Sequence, residues 1–138
     1  MRIATHAIII ATGVVGLIGS ALAADMTGAE LKAFLSGTTE YLETTGIGAS
    51  TAPSQVVLYF DADGTALNKN VTTGVLLHGN WHIEGNTSCA VWKERPNVQP
   101  CVRYDKTGDT VTIIDAVSGQ TRAKVVKVVA GNAEHLSP

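Results

Sequence analysis

The sequence predicts a mainly β fold of the α+β kind: an N-terminal helix, then a seven- or eight-stranded antiparallel meander curled into a small barrel or half-barrel. Three observations carry this. The hydrophobic period changes once, from helical before Gly37 to alternating after it. Turn residues then recur every eight to twelve positions ("DADG", "EGNT", "KTGD", "VSGQ"), with Val- and Thr-rich runs between them. No long helical segment separates those runs, which argues against a parallel α/β sheet. A meander leaves two edges, and curling into a barrel or folding into a sandwich removes them.

Taken in order, residues 1–24 read as a secretory signal. Met1 and Arg2 give a charged start, Ala7 to Ala21 is almost uninterruptedly apolar, and Ala21-Leu22-Ala23-Ala24 has the small residues a signal peptidase accepts. The apolar run, about 17 residues, is at the lower limit for crossing a bilayer. Gly13, Gly16 and Gly19 weaken it as a helix, and no basic cluster follows. The reading is therefore cleavage, with no membrane span afterwards, and a single β-rich domain over 25–132. Residues 133–138 are read as a flexible tail.

Thr27-Gly28-Ala29-Glu30 has the form of a capping box, with Met26 and Leu31 placed as a hydrophobic staple. Leu31, Phe34 and Leu35 share one helical face, and Gly37 stops the helix. Strands follow at Thr38–Thr44, Gln55–Asp61 and Thr65–Asn70, with a loop over 46–54. Thr73–Ile83 is long enough for one strand bent at Gly79, or for two. Ser88–Lys93, Cys101–Asp105, Thr110–Asp115 and Thr121–Val129 complete the set.

Composition narrows the function classes. The chain of 138 residues carries a net charge of −2, and without Arg2 it has nine Lys plus Arg against twelve Asp plus Glu. Charges are scattered and no basic patch appears, so the electrostatic footprint of a nucleic-acid binder is missing. There is no G-x-S-x-G, no H-E-x-x-H and no Gly-rich phosphate loop. No catalytic residue, cofactor or metal is assigned.

Cys89 and Cys101 are equidistant from Arg95, the centre of the loop between their strands. In a hairpin with that centre they stand opposite each other, and a non-hydrogen-bonded pair meets disulfide distances. A structural disulfide is the reading; the spacing is not that of a C-x-x-C redox pair. The aromatics are read first as core. Alternation puts Trp81 with Ile83 on one strand face and Asn80 with His82 on the other, and sets Trp92 beside Val102 and Tyr104. An eight-stranded barrel encloses at most one small ligand. Tyr59, Trp81, His82, Trp92 and Tyr104 are the candidate ligand-contacting residues. His78 and His82 share a strand face, but no third metal ligand is evident. Asp61, Asp63 and Gly64 fit a tight turn and not the spacing of an EF-hand calcium loop.

The segments "MTGAELKAFLSGTTEYL", "YFDADGT", "GNWHIEGNTSCAVW", "CVRYDKTGD" and "VVAGNAEHL" resemble a class of small exported proteobacterial proteins of unknown function. The likeness spans residues 26 to 136. It implies a secreted or periplasmic β-domain with a helix and a disulfide, sometimes described as lipocalin-like, and it brings no activity. Together these readings lead to an expectation of a periplasmic, non-catalytic binding or accessory module for a small apolar ligand or an envelope protein. Two alternatives stand beside it. One is a hydrolase inhibitor presenting Lys93 to Pro100. The other is an enzyme with a site assembled from distant strands around His82 and Asp61.

Overall fold

The computed structural model describes residues 22–45 and 53–138. Residues 1–21 of the segment read as an export signal, and most of the loop at 46–54, lie outside the described residues. The elements are β1 (Ala24–Asp25), α1 (Gly28–Leu35), β2 (Thr38–Thr44), β3 (Gln55–Phe60), β4 (Thr65–Asn70), β5 (Leu76–Glu84), β6 (Thr87–Trp92), β7 (Cys101–Thr107), β8 (Thr110–Asp115) and β9 (Thr121–Ala130).

Strands β2 to β9 pair antiparallel, each with the next in sequence, and β9 returns to pair with β2. The result is a closed eight-stranded up-and-down barrel, as the turn spacing predicts. Closure gives every strand two neighbours, so the backbone polar groups of the sheet are paired within it. Among the described residues, no helix is long and apolar enough to cross a membrane.

Alternation decides what fills the barrel. Leu42, Leu58, Phe60, Ala66, Trp81, Tyr104, Val111, Ile113 and Ala123 form the interior together with Met26, Leu31 and Leu35. One end is plugged by α1. Thr27 accepts from the Glu30 N–H while the Glu30 carboxylate accepts from the Thr27 N–H, closing the capping box. Leu31 and Leu35 are fully buried over the barrel end, and Phe34 meets Tyr104 edge-on with ring centroids 6.1 Å apart. Gly28 lets the helix start against the β5–β6 turn. Its N–H donates to Asn86 Oδ1 at 2.9 Å, and a Cβ there would lie 2.2 Å from the Gly85 carbonyl oxygen.

Three features depart from the sequence reading. The segment read over Thr73–Ile83 is one strand that starts later, at Leu76. Residues before it form a turn in which the Gly74 N–H donates to the Asn70 carbonyl and the Asn70 side chain accepts from Thr72 and Thr73. The added strand β1 takes the edge of β7 at Asp105 and Lys106, and Asp25 holds Arg103 through both carboxylate oxygens. The final residues, read as a flexible tail, instead fold back on the outside of the barrel. Leu136 is only 8 % exposed and packs with Val57 and Leu67 in a second apolar cluster. Asn132 bonds both the N–H and the carbonyl of Leu136, the Ala133 N–H donates to Thr39 Oγ1, and Tyr41 donates to Glu134. The outward face of β3 is apolar at Val57, and the tail covers it.

Gly79 sits where β5 leaves no room for a side chain against β6. A Cβ there would fall 2.2 Å from the Val91 carbonyl oxygen and 2.9 Å from the Trp92 ring. Gly79→Ala is expected to force β5 and β6 apart and cost about 2 kcal/mol, as overpacking does. Urea unfolding checks this; an unchanged midpoint would show that the β5 and β6 backbones separate at no cost.

Candidate functional site

The barrel is filled at the α1 end and hollow at the other. A cavity of about 180 Å³ lies between the strands. Its walls are Leu42, Val56, Leu58 and Phe60 from β2 and β3, Ala90 and Trp92 from β6, Val102 and Tyr104 from β7, and Ile113 and Ala123 from β8 and β9. These are the inward positions of each strand, two residues apart, so one alternation produces both the core and the cavity wall. Pro100 adds to the apolar wall, and Thr44, Asn68, Ser88 and Arg122 add polar groups to it.

Arg122 owes its place to a β-bulge. Ile113 pairs with Ala123 but Ile114 pairs with Thr121, so Arg122 has no partner of its own on β8. It therefore reaches the cavity alongside its chain neighbour Ala123. Its guanidinium donates to Asp115 Oδ2 from both Nε and Nη2, and Nη2 also donates to the Gln99 carbonyl. Asp115 accepts from the Val117 and Ser118 N–H groups as well. The Ser118 N–H and the Arg122 guanidinium outweigh its partial burial and hold its carboxyl at about 2, below the usual carboxylate range.

Beneath the cavity is a buried acid that the sequence reading missed. Glu40 is fully buried on the inward face of β2, one step from Leu42 toward α1. Tyr104 Oη donates to its Oε2 at 2.9 Å. Among the described residues, Oε1 has no hydrogen-bond partner. Burial pushes the Glu40 carboxyl up to about 8, against a smaller downward pull from the Tyr104 hydroxyl. The Tyr104 hydroxyl is itself raised, by burial and by the neighbouring carboxyl. At neutral pH Glu40 is therefore mostly protonated.

Of the five residues singled out from the sequence, Trp92 and Tyr104 line the cavity. Trp81 points inward but lies lower, in the floor under α1. It packs edge-on against Phe60 at 5.3 Å, and its Nε1 donates to the Asp61 carbonyl. Tyr59 and His82 do not join them. Tyr59 faces outward with the Val57–Leu136 cluster and donates to Asp61 Oδ2. His82, with its side chain 60 % exposed, lies outside beside Glu84. Each neighbours an inward residue (Phe60, Trp81), and a pleated strand cannot turn two successive side chains the same way.

Cys89 and Cys101 stand directly opposite each other and are bonded, as their symmetry about Arg95 predicts. Such bonds form and persist in oxidising compartments outside the cytoplasm. His82, Glu84 and Cys89 bring potential metal-ligand atoms within 4.8 Å of one another, but the Cys89 sulfur is taken by the disulfide and has no thiolate to give. His78 binds Glu94 rather than pairing with His82: its Nδ1 lies 2.7 Å from Glu94 Oε1. The Asp61 carboxylate is engaged by Tyr59 and the Asp63 N–H, not by His82.

Comparison with protein-family models, with curated proteins and with solved structures found no match.

Proposed function

We propose that this protein is an exported, non-catalytic carrier that holds one small apolar molecule inside its barrel. The observation that carries the reading is the cavity itself, about 180 Å³ of apolar-walled space with Trp92 and Tyr104 in its lining. Cavities of this order bind single-ring hydrocarbons, because apolar walls gain contacts when the space between them is filled. Export rests on the signal-like residues 1–24, on the disulfide, and on the resemblance to small exported proteobacterial β-domains. A periplasmic location is the form of that export the resemblance favours.

The test is thermal unfolding of the mature chain with saturating toluene or indole. Ligand at about 100 times its Kd stabilises by about 2.7 kcal/mol, which raises Tm by several degrees. Ala90→Leu takes up part of the cavity and is expected to reduce the shift. An unmoved Tm with both ligands, or an equal shift in Ala90→Leu, would overturn the reading.

A further inference from the structure

We propose that the molecule carried is a small carboxylic acid with a single ring, the ring lying in the apolar chamber and the carboxylate accepting from Arg122 Nη1 in its wall. This rests on the carrier reading and adds a charged end to the apolar molecule carried.

Among the described residues, Arg122 is the one charged side chain in the cavity wall. Its fork is only partly engaged. Nε and Nη2 donate to Asp115 Oδ2, and Nη2 also donates to the Gln99 carbonyl, whereas Nη1 donates to no group among the described residues. Two N–H groups are thus left for an acceptor. Asp115 does not depend on them, because its Oδ1 accepts from the Val117 and Ser118 N–H groups. A second polar group of the wall lies at the same level of the barrel. Ser88 pairs with Val102 and Val102 with Asp115, so one rung runs from Ser88 to the carboxylate that holds Arg122. Ser88 lines the cavity, is 2 % exposed, and its hydroxyl has no hydrogen-bond partner among the described residues. One side of an otherwise apolar chamber therefore carries polar groups with unused hydrogen-bonding capacity.

The chemistry favours a carboxylate. Nη1 can only donate, so the ligand must present an acceptor there. A carboxylate makes the stronger, charge-assisted bond, and its plane matches that of the guanidinium. The Asp115 charge is met by two backbone N–H groups as well as by Arg122, which leaves part of the cationic charge unmatched. The Arg122 side chain is 25 % exposed, so the carboxylate keeps some of its water and escapes the full cost of burying a charge. An ammonium group would face a like charge. A phosphate monoester brings a second negative charge, and a guanidinium shared with Asp115 has none left to match it. The volume limits the rest of the molecule to about one ring.

The experiment compares benzoate, benzamide and toluene, three ligands with the same ring and similar size, by calorimetry on the mature chain. Benzoate is expected to bind at least tenfold more tightly than either of the others. Its affinity should fall about threefold on going from low to high salt, while that of toluene does not fall. In Arg122→Met the preference for benzoate over toluene should vanish. Should Arg122→Met fail to fold, the Arg122 side-chain nitrogens of the wild type, followed by NMR, replace it: their signals should move with benzoate and stay with toluene. Benzamide or toluene binding as tightly as benzoate, a benzoate affinity indifferent to salt, a preference that survives Arg122→Met, or Arg122 signals unmoved by benzoate would each overturn the assignment. In all of these toluene still binds, and the carrier reading stands. Binding of none of the three ligands would instead remove the carrier reading, and this one with it.

Discussion

Raising the pH from 5 to 9 is expected to destabilise this protein by up to about 5 kcal/mol, and Glu40→Gln is expected to remove most of that loss. The folded carboxyl titrates near 8 and the unfolded one near 4.5. Below 4.5 both states hold the proton and Glu40 contributes no pH dependence. Between those values the folded chain binds more protons, so stability falls as pH rises. Above about 8 both states are ionised, and the fold carries a buried charge met, among the described residues, only by the Tyr104 hydroxyl. A difference of this size, at about 1.4 kcal/mol per pH unit, sets the upper figure. It is comparable to the whole stability of a small domain. Asp115 and Glu94 work in the other direction: both are held at about 2, Asp115 chiefly by backbone N–H donors and Glu94 by His78. Their contribution is present above the ordinary carboxylate range and fades as pH drops toward 2. Stability should therefore peak between about pH 4 and 6. Urea unfolding of wild type and Glu40→Gln across pH 5 to 9 is the check. The variant should match wild type within about 1 kcal/mol at pH 5 and exceed it by several at pH 9. Parallel curves would mean that Glu40 is solvated in solution.

The barrel was legible because its signals are local and repeated. Each turn carries its own Gly or Asn, each strand its own alternation, and the capping box of Thr27 and Glu30 is spelled within four residues. The disulfide was legible by symmetry alone. What was lost depended on contacts across long sequence distances. β1 is two residues long and exists only because β7 outruns β6 there. Leu136 is one apolar residue in a polar tail, and nothing local says that it will find Val57. Glu40 was hidden by its charge, since a carboxylate in "TTEYLET" reads as surface. The available signal was its two-residue spacing from Leu42, which puts both on one face. Tyr59 and His82 lie on the outer face because each alternates with an inward residue. In "QVVLYF" both faces are apolar and the inward one is not marked. For His82 the period itself gave the answer, because Trp81 and Ile83 already occupied the inward face. Arg122 was beyond reach, since only the bulge beside Ile113 brings it to the cavity.

Removing the Cys89–Cys101 bond is expected to cost about 3 kcal/mol and to loosen one seam of the barrel before the others. The figure follows from the loop the bond closes, its ends 12 residues apart in sequence, through the entropy regained by the unfolded chain. The local effect follows from topology. β6 and β7 pair only at Ser88↔Val102 and Cys89↔Cys101, whereas β7 and β8 pair continuously from Val102↔Asp115 to Thr107↔Thr110. The β6–β7 seam is thus the shortest in the barrel, and the disulfide occupies one of its two rungs. Beyond it the Ala90 N–H reaches the Pro100 carbonyl, and Ala90, Trp92, Pro100 and Val102 then form one side of the cavity. In Cys89→Ala/Cys101→Ala, amide exchange should rise first at Ala90 and along Ser88–Trp92, while β3 and β4 keep their protection at low denaturant. Tm should fall by about 10 °C. Because that seam borders the cavity, toluene affinity should weaken in the same variant. Uniform exchange over all eight barrel strands would show that the bond acts on the unfolded chain alone and that the seam needs no clamp.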